Sequence, residues 1–135
     1  MSFIEPRINW TESDYFNAED YNRIIGNLAF LKTFAEGLFE TFDLQDMGEE
    51  KTYASLIYAR EINVIESNLE TINLNTYGYN LGEKTIYKDN GNTPLFSEIN
   101  RIEGAILRLY TTLQAHREAL PRLAFTFGGQ KGIRL

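Results

Sequence analysis

The chain has 135 residues, 43% of them hydrophobic, with no cysteine and a net charge of −6. That length suits one domain with a sizeable core, and the composition is too apolar for a disordered polymer. Lack of cysteine excludes disulfides, thiolate metal sites and a cysteine nucleophile, and the acidic balance argues against general nucleic-acid binding, which needs clustered Lys and Arg.

No apolar run reaches the roughly 18 residues of a membrane span. Met1–Pro6 lacks the basic and apolar regions of a signal peptide, so a soluble intracellular product is expected. Residues 1–16 form an N-terminal arm, extended around Pro6. Trp10 precedes Thr11-Glu12-Ser13-Asp14, a run rich in capping side chains, and Tyr15-Phe16 lead into the first helix. Two readings are open for Trp10: it pins the arm across the chain's own core, or it anchors in a neighbouring subunit.

The first helix is predicted over 17–42. Asn17 is a favourable N-cap, and Glu19 and Asp20 suit the positive end of the helix dipole. Tyr21, Ile24, Leu28, Leu31, Ala35, Leu38 and Phe42 make a stripe at alternating steps of three and four. Ile25, Phe34 and Phe39 widen it, which suggests more than one neighbour. Asp46-Met47-Gly48-Glu49 reads as a short connector for an antiparallel turn. The second helix is predicted over 51–75, with Tyr58, Ile62, Ile65, Leu69 and Ile72 as its stripe.

Residues 77–92 form a loop rich in Tyr, Gly and Asn, in which Lys84–Tyr87 suits a short strand. Tyr77, Tyr79 and Tyr87 offer aromatic faces near Asn and Asp, a combination that suits contact with a host-surface glycan. The third helix is predicted over 93–120, with Thr93-Pro94 at its start and Pro121 at its end. Its stripe is Ile99, Ile102, Ile106, Leu109, Leu113, His116 and Leu120. The tail, 121–135, alternates through Leu123, Phe125 and Phe127 in the strand period before Gly128-Gly129. A basic strand of this kind is expected to pair with Lys84–Tyr87 or with a neighbouring subunit. The expected fold is therefore a single mainly-α domain. Three long helices form an antiparallel bundle or coiled-coil-like arrangement, with a minor β element from the 77–92 loop and the C-terminal tail.

One pattern recurs three times, at Asp20-Tyr21-Asn22-Arg23-Ile24-Ile25-Gly26-Asn27-Leu28, Glu61-Ile62-Asn63-Val64-Ile65-Glu66-Ser67-Asn68-Leu69 and Glu98-Ile99-Asn100-Arg101-Ile102-Glu103-Gly104-Ala105-Ile106. Each copy runs acid, apolar, Asn, variable, Ile, variable, small, Asn or Ala, aliphatic. The copies lie about 40 residues apart, which implies one supersecondary unit repeated to bury a shared apolar face. Acids dominate residues 11–50, while Arg101, Arg108, Arg117, Arg122, Lys131 and Arg134 make the end basic. That polarity either steers one subunit's tail toward another's first helix or marks two solvated faces.

His116 is the chain's one histidine and is flanked by Gln114, Ala115 and Arg117 rather than by catalytic or ligating partners. No phosphate-cradling, nucleophile-elbow or zinc-protease motif appears. No catalytic, cofactor-binding or metal-ligating residue is assigned, and a non-enzymatic protein is expected.

The opening Asn9-Trp10, Asp14, Phe16-Asn17 and Asp20-Tyr21-Asn22-Arg23-Ile24 resembles that of small tail and baseplate proteins of phages infecting Gram-positive bacteria. Asn100-Arg101-Ile102-Glu103 looks like the same module again. Leu120-Pro121-Arg122-Leu123-Ala124-Phe125-Thr126-Phe127-Gly128-Gly129 is similar to termini in such proteins. The resemblance is patchy and carries no catalytic motif. It implies a virion structural protein of the tail, made in the bacterial cytoplasm and assembled with other tail proteins or as a homo-oligomer. It implies no cofactor, and it assigns Trp10, Asp14, Phe16, Asn17, Asp20, Asn22, Arg23 and Ile24 to locking the arm onto the helix start. Trp10, Phe16, Asn22, Arg23, Phe125 and Phe127 are the candidate interaction residues. A helical adaptor or regulatory protein of the host, and a carbohydrate-binding module using the tyrosine loop, are the alternatives.

Overall fold

The computed structural model describes residues 2–84, 86–88 and 96–128, with 121–128 as backbone alone. Among them are α1 (Ala18–Leu38), α2 (Ala59–Leu74) and α3 (Phe96–Gly128). The first acid of each repeat falls in the first turn of its helix. In two of them it accepts a bond from the residue before the helix: Asn17 N–H to Asp20 Oδ2 at 2.9 Å, and Tyr58 N–H to Glu61 Oε1 at 2.8 Å. Each carboxylate thus satisfies an otherwise orphaned donor and complements the helix dipole.

The three helices pack together as a bundle, and they run in the same direction. Arg23 near the start of α1 pairs with Glu103 near the start of α3, at 2.7 Å. Further along, Phe34 packs edge-on against Tyr110, with ring centroids 6.1 Å apart, and Arg117 lies 4.6 Å over the Phe34 ring. Contact positions therefore rise together along both helices. The same holds for α2 and α3: Glu66 pairs with Arg101, and Tyr77, just past α2, bonds His116. The expected antiparallel arrangement is corrected to a parallel one.

Parallel neighbours require the chain to travel back the length of a helix between them. A helix of 21 residues is about 30 Å long, which an extended chain spans in about nine or ten residues. The long non-helical stretch 39–58 meets that need after α1, and the described residues past α2, 75–84 and 86–88, are likewise outside any helix. This explains the boundary differences. The first helix ends at Leu38, because Phe39 is already extended, with φ −127° and ψ −172°. Phe42 therefore belongs to the return stretch. The second begins at Ala59, not 51, because residues 51–58 are still crossing the bundle. Asp46–Glu49 is a kink within that stretch rather than an interhelical turn. Gly48 has φ +73°, and its N–H donates to Asp46 Oδ1 at 2.8 Å.

The α3 boundaries also differ. The expected start at 93–95 lies outside the described residues, and the helix continues through Pro121 to Gly128. A proline costs its own N–H and one ladder bond, about 3 kcal/mol in a helix interior, but the residues beyond it can still donate to earlier carbonyls. Phe125 and Phe127 thus sit on helical backbone, where a period-two pattern gives no common edge. No strand occurs among the described residues, so neither 122–127 nor 84 and 86–87 supply the expected β element. Residues 129–135 lie outside the described set.

The three predicted seams do meet in one interior. Tyr21, Ile24, Leu28, Leu31 and Ala35 of α1, Ile62, Ile65, Leu69 and Ile72 of α2, and Ile99, Ile102, Ile106, Leu109 and Leu113 of α3 are all buried. The stripes lose burial at their ends, where Leu38 and His116 are half-buried and Tyr58 and Leu120 are exposed. Ile102 lies in the middle of this interior. Ile102→Ala is expected to lower unfolding free energy in urea by roughly 2–5 kcal/mol, the range for truncating a large core aliphatic.

Candidate functional site

The return stretches are fastened by a repeated device. An extended segment laid across a helix has no strand partner, so its peptide groups need other bonds. Helix asparagines supply them, since a side-chain amide carries one carbonyl acceptor and an N–H donor side by side. Asn22 accepts from Lys51 N–H at 2.7 Å and donates to Lys51 C=O at 2.8 Å. Asn63 does the same for Tyr87, and Asn100 for Trp10, at 2.7–3.0 Å. These three are the asparagine of each repeat.

A second set lies further along. Asn27 clamps Ile4, Asn68 clamps Gln45 and Asn73 clamps Tyr79, each through both bonds. All three side chains are buried, and Ala105 stands in α3 where Asn27 and Asn68 stand in α1 and α2. The stretches follow one rule. Residues 2–16 touch α1 at Ile4, then α3 at Trp10, and enter α1. Residues 39–58 touch α2 at Gln45, then α1 at Lys51, and enter α2. The step from Ile4 to Trp10 equals that from Gln45 to Lys51. Tyr87 continues the pattern by docking on α2 ahead of α3.

The positions that vary between repeats are complementary in space. Arg23 of α1 reaches Glu103 of α3 with Nε at 2.8 Å and Nη2 at 2.7 Å. Arg101 of α3 reaches Glu66 of α2 at 2.6 Å. Val64 stands at the arginine position of α2 and Ile25 at the glutamate position of α1, so these two places carry no ion pair. Each arginine is also braced by the acid of its own repeat, Asp20 at 3.1 Å and Glu98 at 2.9 Å. Glu103 is fully buried and further accepts from Arg7 N–H at 3.1 Å and Trp10 Nε1–H at 2.7 Å. Its bond to Arg23 holds that guanidinium more firmly protonated than usual. Burial pushes the Glu66 carboxyl up, against the downward pull of Arg101.

Trp10 therefore sits within the chain's own bundle, 4% exposed, with Phe16 packed at 5.7 Å and the Arg7 guanidinium over its ring at 4.1 Å. Near the other end of the arm, Phe3 stacks on Tyr110 at 3.8 Å and lies beside Phe30. Phe34 packs on Tyr110 as well, and Phe39 packs on Tyr77 and His116, so the surplus aromatics of α1 find neighbours in the same chain. Asp14 closes the turn before α1, accepting from Thr11 N–H at 2.8 Å and pairing with Arg7, and Asn17 donates its N–H to Asp20 at the start of α1. Trp10 instead ties the arm to α3.

The loop tyrosines are engaged internally. Tyr87 is buried, Tyr77 O–H pairs with His116 Nδ1 at 3.0 Å, and Tyr79 O–H pairs with Thr112 at 3.2 Å. Tyr77 stacks on Tyr79, which also carries Arg108 over its ring at 3.7 Å. Gly82, at φ +84°, lies so close to α3 that a Cβ would meet Arg101 Cδ at 3.0 Å. Phe125 and Phe127 fall where only backbone is described.

An open cleft beside the start of α1 is lined by Ile4, Glu19, Asn22, Arg23, Glu50, Lys51 and Tyr53, a mixture of both charges. Among the described residues no group of His, Asp or Glu is arranged to hold a metal ion. Nor is any described helix long and apolar enough to cross a membrane. What the arrangement does is hold extended peptide against helices. The residues overlooked in the sequence are Asn27, Asn63, Asn68, Asn73 and Asn100 as clamps, the buried carboxylates Glu66 and Glu103, and the half-buried Arg101. Recurrence of Asn in the repeats was the visible signal for the clamps other than Asn73. Protein-family models, curated proteins and solved structures offer no match to this chain.

Two measurements test the site. Removing one partner of a buried ion pair costs about 3–5 kcal/mol, whereas an exposed pair contributes under about 1 kcal/mol. Glu103→Gln should therefore shift the urea midpoint far more than Glu70→Gln, which breaks the exposed pair with Lys84. Burial, helped by Glu61, raises the Tyr21 phenol from 10.0 to about 12. A raised folded-state value means that Tyr21 contributes stability fully below pH 10, and that this is lost as pH rises toward 12. Alkaline difference spectra should show a late-titrating tyrosine step that is diminished in Tyr21→Phe.

Proposed function

We propose that this chain is a non-enzymatic structural protein of a phage tail tip or baseplate, working by assembly with other tail proteins. The observation that carries the proposal is the role of the residues behind the resemblance. Trp10 fastens the arm to α3 and Asn22 fastens the 39–58 stretch to α1, while Asp14 closes the turn before α1, Asp20 accepts from Asn17 N–H at its start and Arg23 joins it to α3, so the motif is one of construction. The fastened stretches leave large apolar side chains outward: Ile8, Tyr15, Tyr53, Leu56 and Ile86 are 54–98% exposed. Rigid backbones bearing such side chains suit docking against other proteins. The end of α3 supplies a further attachment element, since at 33 residues it exceeds α1 at 21 and α2 at 16.

On this reading the protein is made in the bacterial cytoplasm and resides in the virion. The test is quantitative mass spectrometry of purified particles from the strain that encodes the chain, with and without a deletion of its gene. Expected are a fixed copy number per tail and tails that are defective or missing without the gene. Particles that lack the chain, with tails unaffected by the deletion, would overturn the assignment.

A further inference from the structure

We propose that the groove between α1 and α3 also accepts the N-terminal arm of a second copy of this chain, so that Trp10 of one copy docks on Asn100 and Glu103 of the other. The inference goes beyond the tail assignment and does not depend on it. Three observations carry it.

First, the joints of the bundle differ. The 39–58 stretch is continuous with both helices that clamp it, α1 and α2, whereas the arm runs into α1 and holds α3 through non-covalent contacts. Second, these contacts are local to the arm and the groove. The peptide groups of Ile4, Arg7 and Trp10, the Trp10 indole and the Phe3 ring make them, and an identical arm from another copy reproduces every one. Third, the hinge is superficial. Thr11, Glu12 and Ser13 are exposed, and their turn is held by bonds from Thr11 to Asp14. Opening it lifts Trp10 from Phe16 and Arg7 from Asp14, contacts that the incoming arm restores. With the contacts equal in both forms, hinge geometry and concentration decide between them, which is the ordinary condition for segment exchange.

Deleting Glu12 and Ser13 from the full chain shortens the hinge and disfavours folding back. Light scattering should then shift from 15.6 kDa to about twice that mass, and the single tryptophan should keep its buried, blue-shifted emission. A mass remaining at 15.6 kDa, whatever the emission, would overturn the proposal. The second measurement keeps the natural hinge. Isotope-heavy chain with a photo-cross-linking residue at Ile8, which is exposed, is mixed with light chain at high concentration, warmed to just below melting and cooled. Heavy arm peptides joined to light α3 peptides are expected. Products joining only segments of one heavy chain would refute arm exchange even if the shortened variant failed to fold.

Discussion

Peptide groups in an extended chain must be bonded, and in this protein the helices bond them. A sheet would do this with neighbouring strands, but here each crossing segment lies over helices whose own backbone bonds are already used. The side-chain amide of asparagine resolves the conflict by presenting donor and acceptor together, as a strand would. A single hydrogen bond contributes only about 0.5–1.5 kcal/mol net, but a buried peptide group left without a partner costs about 1–3. The clamps therefore matter chiefly because without them the crossings would be untenable. Parallel packing of the helices depends on those crossings in turn.

The buried ions decide which helix stands beside which. In the observed cycle Arg23 meets Glu103 and Arg101 meets Glu66, and the two remaining places hold the uncharged Val64 and Ile25. Arranging the same helices in the opposite rotational order would set Val64 against Glu103 and Arg101 against Ile25. Glu103 would then lose its arginine, and Arg101 would keep only Glu98; breaking a buried pair in this way costs about 3–5 kcal/mol. Hydrophobic seams of near-identical Ile and Leu cannot make that distinction, because they pack about equally well either way.

The seams were legible in the sequence because apolar side chains recur in the helical period, and all fourteen interior positions from Tyr21 to Leu113 named above came from that period. The recurring asparagines were visible too, but not what they hold. Their partners, Ile4, Trp10, Gln45, Lys51, Tyr79 and Tyr87, contribute backbone atoms to the clamps, so their side chains share no pattern. Helix direction was hidden for a related reason. An Ile/Leu stripe reads alike in parallel and antiparallel packing, and what settles it is the pairing of Arg23 with Glu103, remote in the chain. The period-two apolar pattern of 122–127 suggested a strand, but α3 carries its helical backbone through that stretch.

The link between Trp10 and Glu103 spans 93 positions, and it sets an order of events during synthesis. The clamp between Asn27 and Ile4 can close once α1 exists, and that between Asn22 and Lys51 soon after. The far half of the arm must wait until Asn100 and Glu103 have been made. Distant pairings of this kind are slow to form, and segments that wait for them stay exposed meanwhile. On a ribosome translating behind another, the first completed groove that a waiting arm meets can belong to the chain ahead.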